Sequence, residues 1–198
     1  LVIEETSPRD KNTNKLLFTY DKSLEAIRNR RFERHLRPPE EFQVLIETIE
    51  NPKSQYKSIA DDMLSSYGEW FSLAMEREDK TTLICYLDPE NLVWNPQKNI
   101  YEVQGHLKRA EEHKFTIDEK IPSQKYVDLN RFHEDLQVFL YSKPFDQLPD
   151  IMKEGSKRAQ LYLPPEGVIL PCGRSYGIGG FGVGAYGGDW ASRGVRRR

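Results

Sequence analysis

Residues 176–198 read YGIGGFGVGAYGGDWASRGVRRR, and no other segment of the chain restricts its own folding so tightly. It holds eight of the thirteen glycines and closes on four arginines in six residues. Glycine loses more backbone freedom on folding than any other residue, so an ordered structure here needs partners to hold it. Gly180, Gly182 and Gly184 alternate with Phe181, Val183 and Ala185. In a strand that alternation gives one face with side chains and one bare face. A bare face lets a second backbone or an aromatic ring approach closely. The expectation is therefore an extended stretch over 177–188, its glycine face against protein, either in this chain or in a neighbour.

The same glycines formally match G-x-G-x-x-G twice, at Gly177–Gly182 and Gly182–Gly187. A dinucleotide site needs a helix directly after that turn, aiming its N–H groups at the pyrophosphate. DWASRGVRRR is too short and too polar to be that helix, and no Lys-Ser or Lys-Thr follows as in a P-loop. These departures weigh against a phosphate cradle of that type.

Charge points elsewhere. From Pro171 onward five arginines face one acid, a net of +4, which leaves −6 for the rest of a chain whose formal charge is −2. An acidic body with a basic tail is the pattern of an interaction arm. Arg193, Arg196, Arg197 and Arg198 suit phosphate neutralisation, with Tyr186 and Trp190 upstream to stack on bases. On this reading SRGVRRR reaches beyond the body. A solvated terminus is the plainer alternative.

The rest of the chain reads as a folded body. An aromatic share of 11% supplies buried area that a disordered chain lacks, and 198 residues suffice for one domain with extensions. Residues 1–15 form a polar arm, 16–170 a single α+β domain, and 171–198 the Gly/aromatic/Arg-rich extension. Two cysteines, Cys85 and Cys172, make no disulfide framework, which fits a reducing, intracellular compartment rather than secretion. No apolar run is long enough to span a membrane. The first residue is Leu, which reads as a processed product or a fragment.

Along the body, LLFTY (16–20) suggests a short strand. Asp21 is placed to cap a helix over KSLEAIRNRRFERHL, which must stop before Pro38-Pro39. Glu40 and Glu41 then suit a first helical turn, and Phe42, Leu45, Ile46 and Ile49 follow at helical spacing. Tyr56, Ile59, Met63, Tyr67, Trp70, Phe71 and Ala74 extend that spacing, predicting a helix over 54–77 with a weak point at Gly68. The texture changes at Thr81. TTLICYL, LVW and IYEV are short β-rich runs separated by turns, an antiparallel meander. HLKRAEEHK is helix or loop, 128–141 a helix, 149–158 a short helix, and LYL-PPEG-VIL a hairpin. The class is α+β: N-terminal helices, an antiparallel meander and hairpin, and a Gly-rich extended C-terminal segment. Phe42, Leu45, Ile49, Ile59, Met63, Phe71, Leu83, Leu136 and Phe139 make the expected core.

Three further constellations bear on function. Arg28, Arg31 and Arg34 fall at spacings of three in the first helix, a basic stripe that Glu25 and Glu33 interrupt. Asp88, Glu102 and the nearby Glu69 and Glu76 resemble the carboxylates by which restriction-type nucleases hold Mg²⁺. Those enzymes want Glu-x-Lys on the second strand, and the chain has Glu102-Val-Gln104. The four histidines share no metal-ligand spacing, and no nucleophile elbow occurs. No cofactor or metal is implied. The sequence thus reads as a non-enzymatic interaction or assembly protein that docks on RNA or on neighbouring subunits, with homo-oligomers included. Its binding residues would be Arg193, Arg196, Arg197, Arg198, Tyr186, Trp190, Arg28 and Arg31. The alternatives are a Mg²⁺-dependent nuclease built on Asp88 and Glu102, and a self-assembling structural subunit.

Overall fold

The computed structural model describes residues 1–16, 19–107, 109–175, 177–183 and 190–197, the side chain of Val183 excepted. The architecture is α+β with predominantly antiparallel sheets. In chain order the helices and strands are β1 (Val2–Ile3), α1 (Tyr20–Asn29), β2 (Arg34–His35), α2 (Pro38–Glu50), α3 (Lys57–Ser65), β3 (Gly68–Arg77) and β4 (Thr82–Leu87). There follow β5 (Leu92–Asn95), β6 (Ile100–Val103), β7 (Glu111–Thr116), β8 (Tyr126–Asp128), α4 (Glu134–Tyr141), β9 (Gln160–Tyr162), β10 (Ile169–Ser175), β11 (Gly180–Val183), β12 (Trp190–Ala191) and β13 (Gly194–Arg196).

The main sheet runs β7-β4-β3-β10-β11-β9-β8, with β12 beside the first residues of β3. The pairs β9–β11 and β3–β12 are parallel, and the others in this sheet are antiparallel. A second sheet has the order β1-β13-β2, and β5 and β6 form a separate hairpin. Strand β3 is the axis. Its Phe71, Leu73 and Met75 enter the larger core with α2, α3 and α4, while Trp70 and Ala74 face α1 and the β5–β6 hairpin. Both faces of the strand are covered, so nearly every residue in it is buried.

That double burial corrects the expected helix over 54–77. Its first half is α3, which ends at Ser65, and Gly68 opens a ten-residue strand rather than weakening a helix. The first helix is also shorter than expected. Asn29 ends it, Arg31 turns the chain with φ +68, and Arg34 lies in β2. Thr19 rather than Asp21 is the N-cap residue. Helix α2 begins at Pro38 as expected, and the three runs expected as a meander are strands β4, β5 and β6. They do not form one: β4 pairs with β3 and β7, and β5 pairs only with β6, because the turn after Asp88 carries the chain out of the main sheet. Of HLKRAEEHK, expected as helix or loop, residues 106, 107, 109 and 110 are loop and Glu111 to Lys114 lie in strand β7. The 149–158 segment forms 3₁₀ turns. LYL and VIL are not a hairpin: β9 pairs with β8 and β11, and β10 pairs with β3 and β11. Of LLFTY, residues 17 and 18 lie outside the described residues, and Tyr20 opens α1. The expected core residues are buried apart from Ile49, 37% exposed at the C-terminal end of α2, and Phe139, which packs half-buried against the core. Both cysteines are buried and reduced.

The glycine stretch has a specific occupant. A Cβ at Gly173 of β10 would come within 2.5 Å of the Trp190 ring, one at Gly68 of β3 within 2.7 Å, and one at Gly182 of β11 within 2.9 Å. One indole thus lies over glycines from three adjacent strands, with Trp70 packed at 4.5 Å between centroids. Only residues without a side chain leave room for a ring this close to the sheet. Gly184 and Ala185 lie outside the described residues.

The arm expected to project is instead woven into the body through residue 196. Strand β13 fills the gap between β1 and β2, pairing Gly194 with His35, Val195 with both Ile3 and Arg34, and Arg196 with Val2. Arg193 is wholly buried: it donates to Glu69 at 3.1 Å, to Asp62 at 2.5 Å, and to the carbonyls of Glu4 (2.8 Å) and Glu5. A second buried arginine, Arg174, donates to Glu41 at 2.8 Å and to the Met63 carbonyl at 2.7 Å. A buried guanidinium must be matched by an acid and by carbonyl acceptors. Those partners come from the N-terminal arm, α2, α3 and β3.

Candidate functional site

Six arginines line one cleft of about 290 Å³: Arg28, Arg34, Arg37, Arg109, Arg196 and Arg197. Glu33, Asp88 and Glu90 also line it, so the formal balance is +3. Local chemistry explains how the chain presents them. Tyr20, Leu24 and Arg28 are four residues apart along α1 and share one face, which forms a wall. The turn at Arg31 reverses the chain into β2, where alternation buries His35 and turns Arg34 to the cleft. Glu40 organises the next corner. It accepts the Arg37 backbone N–H at 2.8 Å, closing the first turn of α2, and takes a two-pronged ion pair from Arg34 at 2.7 and 2.6 Å.

Asp88 stands at the centre of this arrangement, past the end of β4 with φ +53. Arg37 donates to it from Nη2 at 2.6 Å and from Nε at 3.4 Å, and Ser72 Oγ donates at 2.7 Å. Burial works to raise its pKa, but these hydrogen bonds and the charges of Arg37 and Arg34 outweigh it, and the net shift is downward. Asp88 is therefore an ionised carboxylate that holds the guanidiniums in place. Glu90 does the same for Arg28 at 2.8 Å and Arg109 at 3.0 Å. Arg196 lies over the Phe32 ring at 5.6 Å, and Arg197 makes no side-chain ion pair with a described residue.

The sequence-derived site residues separate cleanly. Arg28, Arg196 and Arg197 meet at the cleft although they come from opposite ends of the chain. Arg31 is exposed on its turn and is not part of the lining, because α1 ends before it. Arg193 and Trp190 are interior, one ion-paired and the other covering glycines, so neither offers a face to RNA or to a partner. Tyr186 and Arg198 lie outside the described residues. Arg34 belongs to the expected basic stripe though not to the expected binding residues, and Arg37 and Arg109 were not singled out. The one hint was Arg37 just before Pro-Pro-Glu-Glu, the position from which a helix N-terminus takes an acid three residues on. Nothing in the sequence marks Arg109.

The carboxylates proposed for Mg²⁺ do not share a partner. Asp88 is engaged by arginines, while Glu102 is held by Lys98 at 2.7 Å and Asn95 at 3.1 Å, which lower its pKa. Glu69 is buried against Arg193, and Glu76 accepts from Tyr86. Among the described residues no group of three or more His, Cys, Asp or Glu could hold a metal ion. A buried Ser23–His35 contact of 2.9 Å has no access to solvent. Burial, helped by Arg28, pushes His35 down to about 3 and keeps its ring neutral. No helix among the described residues is long and apolar enough to cross a membrane. No family model matches this chain, and no curated protein or solved structure matches it.

Proposed function

We propose that this is a non-enzymatic binding protein that docks on RNA through the arginine-lined cleft. The observation that carries the reading is the meeting of Arg28 and Arg34 from the N-terminal third with Arg196 and Arg197 after the last strand, on one concave surface of net +3. Arginine presents a planar fork of donors that matches phosphate oxygens, and it keeps its charge at any physiological pH. The acids around it do structural work: Asp88, Glu40 and Glu90 fix Arg37, Arg34, Arg28 and Arg109 in place, so less side-chain freedom is lost on binding. Arg196 and Arg197 are exposed and pair with no described acid, which leaves their charge for a ligand.

The test is binding of a single-stranded RNA by the wild type and by an Arg196→Ala/Arg197→Ala variant across a series of salt concentrations. Both side chains are exposed, so the fold should survive. Two lost phosphate contacts should weaken binding and flatten the slope of log K against log salt by roughly 0.7 per contact. An unchanged affinity and slope would remove RNA as the partner of this cleft. A variant that keeps RNA binding but no longer assembles with itself would assign the arginines to subunit docking instead.

A further inference from the structure

We infer, resting on the RNA reading above, that the cleft receives a terminal phosphate monoester of an RNA chain rather than an internal stretch of its backbone. Three observations lead there. The first is charge. An internal phosphodiester carries one negative charge, whereas a phosphate monoester carries about −1.5 to −2 near neutral pH and offers three acceptor oxygens. Six guanidiniums against the three lining carboxylates leave a surplus of +3 lining a space of about 290 Å³, or +2 once Glu40, the partner of Arg34, is counted. A monoester neutralises more of that surplus in the same space. The volume itself is at the small end of the range for ligand pockets, roughly 300–1,000 Å³.

The second is the surroundings. On the α1 side a second hollow shares Leu24, Arg28 and Glu90 with the cleft and is also lined by Asp21 and Glu25. A third hollow, which shares Val93 with the second, is lined by Glu102. A strand continuing that way would carry its phosphates past Asp21 and Glu25, and past Glu90 and Glu102, whose charges Arg28, Arg109 and Lys98 offset only in part. Like charges at this range disfavour it. A chain that ends in the cleft avoids that path.

The third is the set of unsatisfied donors. Arg37 commits Nε and Nη2 to Asp88 and leaves Nη1 without a bond to a described residue. Arg197 has no ion pair at all among the described residues, and Arg196 has only the Phe32 ring. A tetrahedral group with three terminal oxygens can take donors from several directions at once.

The experiment uses one single-stranded RNA oligomer in three forms, with a 5′-phosphate, a 3′-phosphate or two hydroxyl ends, titrated by fluorescence anisotropy against the wild type and Arg197→Met. At least one phosphorylated form should bind about tenfold tighter than the hydroxyl-ended form, the worth of one charge-assisted hydrogen bond. That preference should collapse in Arg197→Met. Equal, salt-sensitive binding of all three forms would overturn the chain-end inference and leave the RNA reading standing. Failure of all three to bind would remove both. If adenosine 5′-monophosphate binds as tightly as the phosphorylated oligomer, the ligand is a small phosphorylated molecule and the chain-end inference falls.

Discussion

Replacing Arg193 by Met tests whether the last strand is held by a buried ion pair. The guanidinium is fully enclosed, and Glu69, its 3.1 Å partner, is equally enclosed with one carboxylate oxygen already lacking a hydrogen bond. Met keeps most of the stem volume and removes the charge. Glu69 would then be a buried carboxylate facing only the more distant Arg174, and the carbonyls of Glu4 and Glu5 would lose their shared donor. Breaking a buried pair in this way costs about 3–5 kcal/mol. At roughly 2–4 °C per kcal/mol for a chain of this size, the melting temperature should fall by about 6–20 °C.

The loss should also depend on pH in a defined direction. Burial raises the pKa of Glu69 above its ordinary 4.5, and Arg193 is the strongest influence opposing that rise. Without Arg193 the folded pKa climbs further. Between the unfolded and folded values the unfolded chain has released a proton that the folded chain keeps, so stability falls as pH rises through the folded pKa. The gap between wild type and variant, measured by urea denaturation, should therefore be larger near about pH 8 than near about pH 5. A second change, Glu69→Gln, should recover part of the loss and remove the pH dependence. A loss below about 1 kcal/mol that is the same at both pH values would refute this account of the strand, since a surface pair is worth about that much.

Two more variants probe the packing and the cleft. Gly173→Ala would place a methyl group against the Glu69 carbonyl and within 2.5 Å of the Trp190 ring, and should cost at least about 1–3 kcal/mol by thermal denaturation with a change in tryptophan fluorescence; unaltered stability would mean that the indole does not rest on that strand. Asp88→Asn retains a residue tolerant of φ +53 but takes away the ionised acceptor that holds Arg37 and Arg34, so RNA affinity should fall by a few-fold. Unchanged or tighter binding would show that Asp88 costs more in repulsion than it contributes by holding those arginines.

Local chemistry was enough for some of this molecule. Helix α2 could be read from Pro38-Pro39, Glu40 and Glu41 and the spacing of Phe42, Leu45 and Ile46, because its start signals and apolar stripe lie within one short segment. The strands β4, β5 and β6 were legible for the same reason, as β-branched runs bounded by turns. So was the bare glycine face of β11. Strand β3 was not legible. Covered on both sides, it has no polar face to show a period of two, and its Trp70, Phe71 and Ala74 happen to continue the spacing of α3. The false hairpin at LYL-PPEG-VIL has a similar origin, since pairing is decided by which strands meet in space, and β11 lies between β9 and β10. The candidate site shows the limit most clearly. Arg193, Arg196 and Arg197 are one residue type within five positions, yet the first is interior and the other two line a cleft. What separates them is the arrival of Glu69 and Asp62, more than a hundred residues away in sequence, because a guanidinium leaves water only where the folded chain supplies an acid and carbonyls to receive it.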